Sequence, residues 1–278
     1  MAIPAANPLF KHFRQPAIYL KLPSGGQFWD KNSIDLPVTG EIPIYPMTVK
    51  DEITFKTPDA LMNGSGVVDV IQSCCPNIKD AWKIPTTDID PILIAIRLAS
   101  YGHEMDISSK CPHCGDDNEN TLDLRIVLDS LPMVDFKSVK IDNLVFQFKP
   151  QVFKNLNDTN LITFEQERLI RAINNSELDS DQKMTEFNKI FPNLTDMSIM
   201  VIVNSIQSIT TEDGTVVSDI SLIKEFIHNC DRQVFNLIKD EIDNISKKLK
   251  LKPITITCSE CTNQYESDLS FEQSNFFE

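Results

Sequence analysis

Two short stretches, far apart in the chain, carry residue types that bind metal. One is Cys111-Pro112-His113-Cys114-Gly115; the other is Cys258-Ser259-Glu260-Cys261. A pair of C-x-x-C knuckles supplies four thiolates, the tetrahedral sulfur set of a closed structural Zn²⁺ site. Such a pair is far more specific than a lone C-x-x-C. A catalytic zinc keeps one position open to water or substrate, so four cysteines predict a metal that supports folding and does no chemistry. The competing readings are two redox dithiols, or cysteines that are merely buried. A thioredoxin-like dithiol sits between a strand and a helix. Here strand-like residues follow both pairs, Leu122-Asp123-Leu124-Arg125-Ile126 after the first and Tyr265 to Phe271 after the second, and Ile254-Thr255-Ile256-Thr257 precedes the second. Residues 115–257 separate the inner cysteines, so one shared metal makes everything between them an insertion whose ends it clamps together.

No other constellation points to chemistry. His113 lies inside the first knuckle but is expected to face solvent, because four thiolates fill the shell. His12, His103 and His228 sit in unrelated contexts, and neither H-E-x-x-H nor G-x-S-x-G occurs. Asp88 and Asp90 are expected to cap a helix that starts at Pro91 rather than to form a carboxylate pair. Asp116-Asp117-Asn118-Glu119 is a polar hairpin tip without the glycine and terminal Glu of a calcium loop. Gly25-Gly26 lacks the Lys-Ser/Thr pair of a phosphate loop. Cys74, Cys75 and Cys230 are expected to be small buried apolar residues. No catalytic or cofactor-binding residue emerges, and a non-enzyme is expected.

Composition bounds the class. The 278 residues are 41% hydrophobic and 24% charged, an ordinary globular balance with room for one large or two modest domains. The net charge of −14 argues against a nucleic-acid surface, which needs clustered Lys and Arg. The densest basic spot, Lys247-Lys248 with Lys250 and Lys252, reads as a solvated helix C-terminus. An odd count of seven cysteines fits a reducing compartment better than a disulfide framework. No apolar run approaches the ~18 residues of a membrane span, and no secretory signal is visible, so a cytosolic product is expected.

The elements that must position the cysteines read as α+β. Residues 1–16 form an irregular arm. A mixed region, 17–105, opens with the alternating strand Ala17 to Leu22, after which Gln27-Phe28-Trp29 is expected to begin the returning segment. Ile42 to Met47 is extended, and its prolines confine it to an edge or a loop. Helices are expected after Thr48, at Thr57-Pro58-Asp59-Ala60, from Gly66 to Cys75 and over Pro91–Ala99, the last apolar nearly all round and therefore buried. Residues 106–130 with 253–278 make a zinc-ribbon-like module. The insertion, 131–252, is mainly helical. It carries a hairpin about Asp142-Asn143, helices from about Asn160, over Ser180–Phe191 (stopping before Pro192) and from Thr195, a turn at Thr211–Thr215, and helices Ile220–His228 and Arg232–Leu249.

The N-terminal third carries a resemblance. Leu22-Pro23-Ser24-Gly25-Gly26 is followed by Gly40-Glu41-Ile42, Pro46-Met47-Thr48 with Asp51-Glu52, then Thr57 to Gly64. Asp88-Ile89-Asp90, Ile94 to Gly102 and the first Cys pair complete the series, and Asp213-Gly214 with Val216-Val217 and the second pair continue it more loosely. This order of words resembles the T4-type base plate protein family of contractile-tailed phages. The resemblance implies a hub subunit or assembly component in the virion tail baseplate, assembled in the host cytoplasm. Its partners would be other hub and tail proteins, with no nucleic acid, membrane or small-molecule substrate, and it supplies no catalytic residues. Phe276-Phe277 is a candidate anchor on such a neighbour. The competing class is a zinc-ribbon adaptor that binds nucleic acid or a host protein.

Overall fold

The computed structural model of the chain describes residues 8–57, 60, 63–131, 135–176 and 178–268. The expected helical start at Pro58-Asp59 and the anchor at Phe276-Phe277 lie outside the described residues. Mixed α+β architecture is what the chain adopts, with small antiparallel sheets and eight α-helices among the described residues.

Strand β1 (Ile18–Lys21) pairs antiparallel with β2 (Glu41–Ile44), Ile18 facing Ile44 and Lys21 facing Glu41. The return strand is therefore β2 and not Gln27-Phe28-Trp29. Gly25, Gly26 and Phe28 all take positive φ (62°, 81° and 68°), which coils the chain where an extended segment was expected. Pro43 is tolerated because the sheet has only two strands, and Ile42 and Ile44 on either side of it are fully buried.

Helix α1 (Val49–Phe55) opens with a reciprocal Thr48–Asp51 capping box. Arg14, from the expected N-terminal arm, reaches this point. Its guanidinium donates to Pro46 O at 2.6 Å, to Ser73 O at 2.8 Å and to Asp51 Oδ2 at 3.2 Å, tying residues 8–16 to α1 and to α2 (Ser65–Cys74). Helix α3 (Thr86–Tyr101) starts upstream of Pro91, so Asp88 and Asp90 lie inside it and cap nothing. The reason for Asp88 is a demand elsewhere: the turn after β1 presents three donors to one buried acceptor. Ser24 N (2.9 Å), Ser24 Oγ and Trp29 Nε1 (2.8 Å) all donate to its carboxylate. Burial pushes the Asp88 pKa up, against the pull of these bonds. Around α3 a first core gathers β1, β2, α2 and the run Ile92–Ile96, as its near-continuous apolar sequence required.

Strands β3 (Glu104–Lys110) and β4 (Asp117–Asp123) form the first cysteine hairpin. The expected strand over Leu124-Arg125-Ile126 is instead the start of helix α4 (Leu124–Asp129), capped by Asp123, whose carboxylate accepts from Arg125 N at 2.9 Å. Leu124 and Val127, three residues apart, both enter the first core, which a strand would not allow.

The next hairpin, β5 (Val139–Ile141) and β6 (Leu144–Phe148), turns at Asp142-Asn143 with Asp142 at φ 52°. It does not stand alone: β6 pairs with β7 (Ile206–Thr210), and β7 with β8 (Val216–Val217), in one sheet of order β5-β6-β7-β8. Helix α5 (Phe153–Asn174) begins well before Asn160, because Phe153 is drawn into the first core against Trp82 at 5.6 Å. Helix α6 (Ser180–Asn204) is continuous through Pro192, where a stop and a second helix were expected. Proline removes a single i→i−4 bond, and packing of Ile199, Ile202 and Val203 in a second core outweighs it. That core is completed by Phe146, Phe148, α7 (Ile220–Asn229) and α8 (Arg232–Leu249). Strands β9 (Ile254–Thr257) and β10 (Gln264–Ser267) form the second cysteine hairpin. Cys74 and Cys75 are fully buried as expected, whereas Cys230 is half-buried.

Candidate metal centre

The two cysteine hairpins turn their tips toward each other, and the sulfurs of Cys111, Cys114, Cys258 and Cys261 all lie within 4.8 Å of one another. Cys111 Sγ is 3.7 Å from Cys261 Sγ, and Cys114 Sγ is 3.6 Å from Cys258 Sγ. A disulfide needs about 2.0 Å. Four sulfurs at about 2.3 Å from a tetrahedral zinc are separated by about 3.8 Å. The observed spacing matches the metal geometry and rules out a bonded pair in this arrangement. The four side chains could therefore hold one metal ion.

The local backbone explains why the sulfurs converge. In the first knuckle Gly115 N donates to Cys111 O at 2.9 Å and Cys111 N donates to Asp116 O at 2.8 Å; in the second, Thr262 N donates to Cys258 O at 3.0 Å and Cys258 N donates to Asn263 O at 2.9 Å. The residue after each second cysteine takes positive φ, 79° at Gly115 and 58° at Thr262. Glycine meets that demand without strain, whereas threonine adopts it at a cost. The two knuckles are thus the same turn built from different residues, with glycine at the positive-φ position of the first and threonine in the second.

Electrostatics favour thiolates unequally. The Cys261 backbone N–H, followed by that of Glu260 and the Asn118 side chain, pulls the Cys258 thiol down to about 6 despite desolvation. The Asp116 N–H favours the Cys114 thiolate, but desolvation and the hydrogen bonds shared with the other three cysteines push it up to about 12. Four thiols crowded together resist simultaneous ionisation unless a cation neutralises them.

One residue that sequence reasoning placed in a polar hairpin tip holds the two knuckles together. Asn118 is buried, and its Nδ2 donates to Asp116 O (3.1 Å) and Cys258 Sγ (3.5 Å), while its Oδ1 accepts from Ser259 N (2.8 Å) and Ser259 Oγ (3.1 Å). A burial alternation in β4 could have flagged it; the acidic neighbours Asp116, Asp117 and Glu119 hid the pattern. A second tie joins Ser109 Oγ and Tyr265 OH at 2.7 Å. Beneath the sulfurs Ile256, Tyr265, Cys111 and Cys258 form a small core, with Cys111 at 2% and Cys258 at 1% exposure. Cys114 lies at the surface, and His113 is exposed and outside the sulfur cluster. Asp88 and Asp90 lie in α3, outside this site.

Comparison with curated proteins and with solved structures found no match. A family model described as T4 bacteriophage base plate protein matches residues 16–278. The chain belongs to that family, which makes it a structural component of the phage tail. No helix among the described residues is long and apolar enough to cross a membrane.

Proposed function

Starting from membership in the T4 base plate protein family, we propose that this chain is a non-enzymatic hub component of a contractile tail baseplate. It works through contacts with other hub and tail proteins, and Cys111, Cys114, Cys258 and Cys261 hold a structural Zn²⁺. The observation that carries the metal is the sulfur cluster, with separations of 3.6 and 3.7 Å across the two knuckles. Four thiolates favour zinc over hard cations such as Mg²⁺ or Ca²⁺ and leave no open position for substrate. In this reading hairpins β3–β4 and β9–β10 make a ribbon whose metal clamps together the ends of the insertion between them. The clamp fixes the attachment of the second core to the first, and a rigid body of this kind can present several faces to neighbours. The net charge of −14 speaks for protein rather than nucleic-acid partners.

Mass spectrometry of purified mature virions and of baseplate intermediates tests the reading. Peptides of this chain at a fixed ratio to tail proteins identify a permanent hub subunit. Presence in intermediates alone identifies an assembly factor that leaves. Absence from both overturns the proposal.

A further inference from the structure

Helices α5 and α6 form an antiparallel pair whose distal half belongs to neither core. Among the described residues, no apolar side chain between Leu156 and Met197 joins the first or the second cluster. Yet this stretch is not a polar arm: Phe164 (50%), Leu169 (45%) and Met184 (61%) are large and exposed. Helix stability in proteins comes mostly from packing an amphipathic face, and two helices alone leave such faces half covered. Near the tip the pair forms an open groove of about 410 Å³, lined by Leu169, Ile173, Leu178, Ile190 and the Glu186–Lys189 ion pair. Gln166 also lines it, at 8% exposure, and its buried Oε1 has no hydrogen-bond partner among the described residues. A buried acceptor left unpaired costs about 1–3 kcal/mol.

The charge of the arm selects the occupant. Residues 161–196 carry seven acidic and four basic side chains. A second copy would bring the same acidic arm, and a net charge of −14, against it. A cationic helix with one apolar face complements the acidic arm and covers its exposed apolar side chains. We propose that the distal α5–α6 arm is the docking surface for an amphipathic, net-basic α-helix of another protein, which lays its apolar face over Leu169 and Leu178 and completes a three-helix bundle. The geometry of the arm stands by itself; only the identification of that protein as a tail subunit rests on the baseplate reading.

A photo-crosslinking amino acid placed at Leu169 or at Met184, in chain produced during phage assembly, tests this, with Val38 in the first-core region as control. The expected result is crosslinks from 169 and 184, and not from 38, to one net-basic helical segment of a different protein. A synthetic peptide of that segment should bind the full chain. Leu169→Glu with Leu178→Glu should weaken that binding about 10- to 100-fold, the loss of two apolar anchors, while circular dichroism stays unchanged. Crosslinks to a second copy, to an acidic or non-helical segment, or to nothing defined overturn the proposal, as does undiminished peptide binding by the Leu169→Glu, Leu178→Glu double variant. A basic helix captured from a protein outside the tail would leave the arm proposal standing and remove the baseplate reading.

Discussion

Asn118→Ala isolates the contribution of the scaffold around the sulfurs without touching a sulfur. The side chain makes four hydrogen bonds, one to Asp116 of its own hairpin and three to Cys258 and Ser259 of the opposite knuckle. Truncation removes the donor aimed at Cys258 Sγ and orphans the Ser259 N–H, which is 2.8 Å from Oδ1. Partners of this kind typically contribute 10- to 100-fold in metal affinity, which corresponds to about 1.4–2.7 kcal/mol. Competition of the purified chain for zinc against a chromophoric chelator reads this directly. Asn118→Asp is the informative companion. It is nearly isosteric and keeps an acceptor for Ser259, but it turns an oxyanion toward Cys258 Sγ, so it should bind zinc at least as weakly as the alanine variant. Zinc affinities of both variants within twofold of the parent chain would refute the claim that Asn118 orients the knuckles.

Four further outcomes follow from particular residues. Gly115→Ala should cost about 1–2 kcal/mol in denaturant titration, all of it backbone strain, since a Cβ there meets nothing within 4 Å; Thr262→Gly should gain about 1 kcal/mol by relieving the same φ. Asp88→Ala should cost about 3 kcal/mol or more, because Ser24 N, Ser24 Oγ and Trp29 Nε1 lose their acceptor together. Asp51 supplies the pH dependence. Burial raises its pKa, but hydrogen bonds from Thr48 and Ser73 and the Arg14 guanidinium outweigh burial and hold the carboxyl below its ordinary range. Its contribution is therefore present above about pH 3.9 and lost as pH falls through the lower folded value. The stability gap between the parent chain and Asp51→Asn, read by thermal melts across pH, should close in that window and not at neutral pH.

The cysteines were legible because metal chemistry constrains residue type and spacing at once. The buried helix over Ile92–Ile96 was legible because a continuous apolar run has one stable place. What failed in the sequence were boundaries set by distant partners. Proline at 91 and 192 reads locally as a start and a stop, but tertiary packing of α3 and α6 outweighs one missing hydrogen bond. The joining of β6 to β7 spans the whole α5–α6 pair, and no local pattern encodes that pairing. Asp88 and Asn118 were misassigned for one reason: each is a polar residue whose partners lie far along the chain, at Ser24 and Trp29 or at Cys258 and Ser259. A surface cap and a buried acceptor look alike until those partners are known.

The most direct measurement of the central claim is metal content of the purified full chain by mass spectrometry, paired with the absorption spectrum after cobalt substitution. One zinc per chain, an intense tetrahedral thiolate spectrum with Co²⁺, and loss of both in Cys258→Ser together with a lower melting temperature are predicted. A chain that folds and melts identically without metal, or a Cys258→Ser variant with unchanged zinc and stability, would contradict the account.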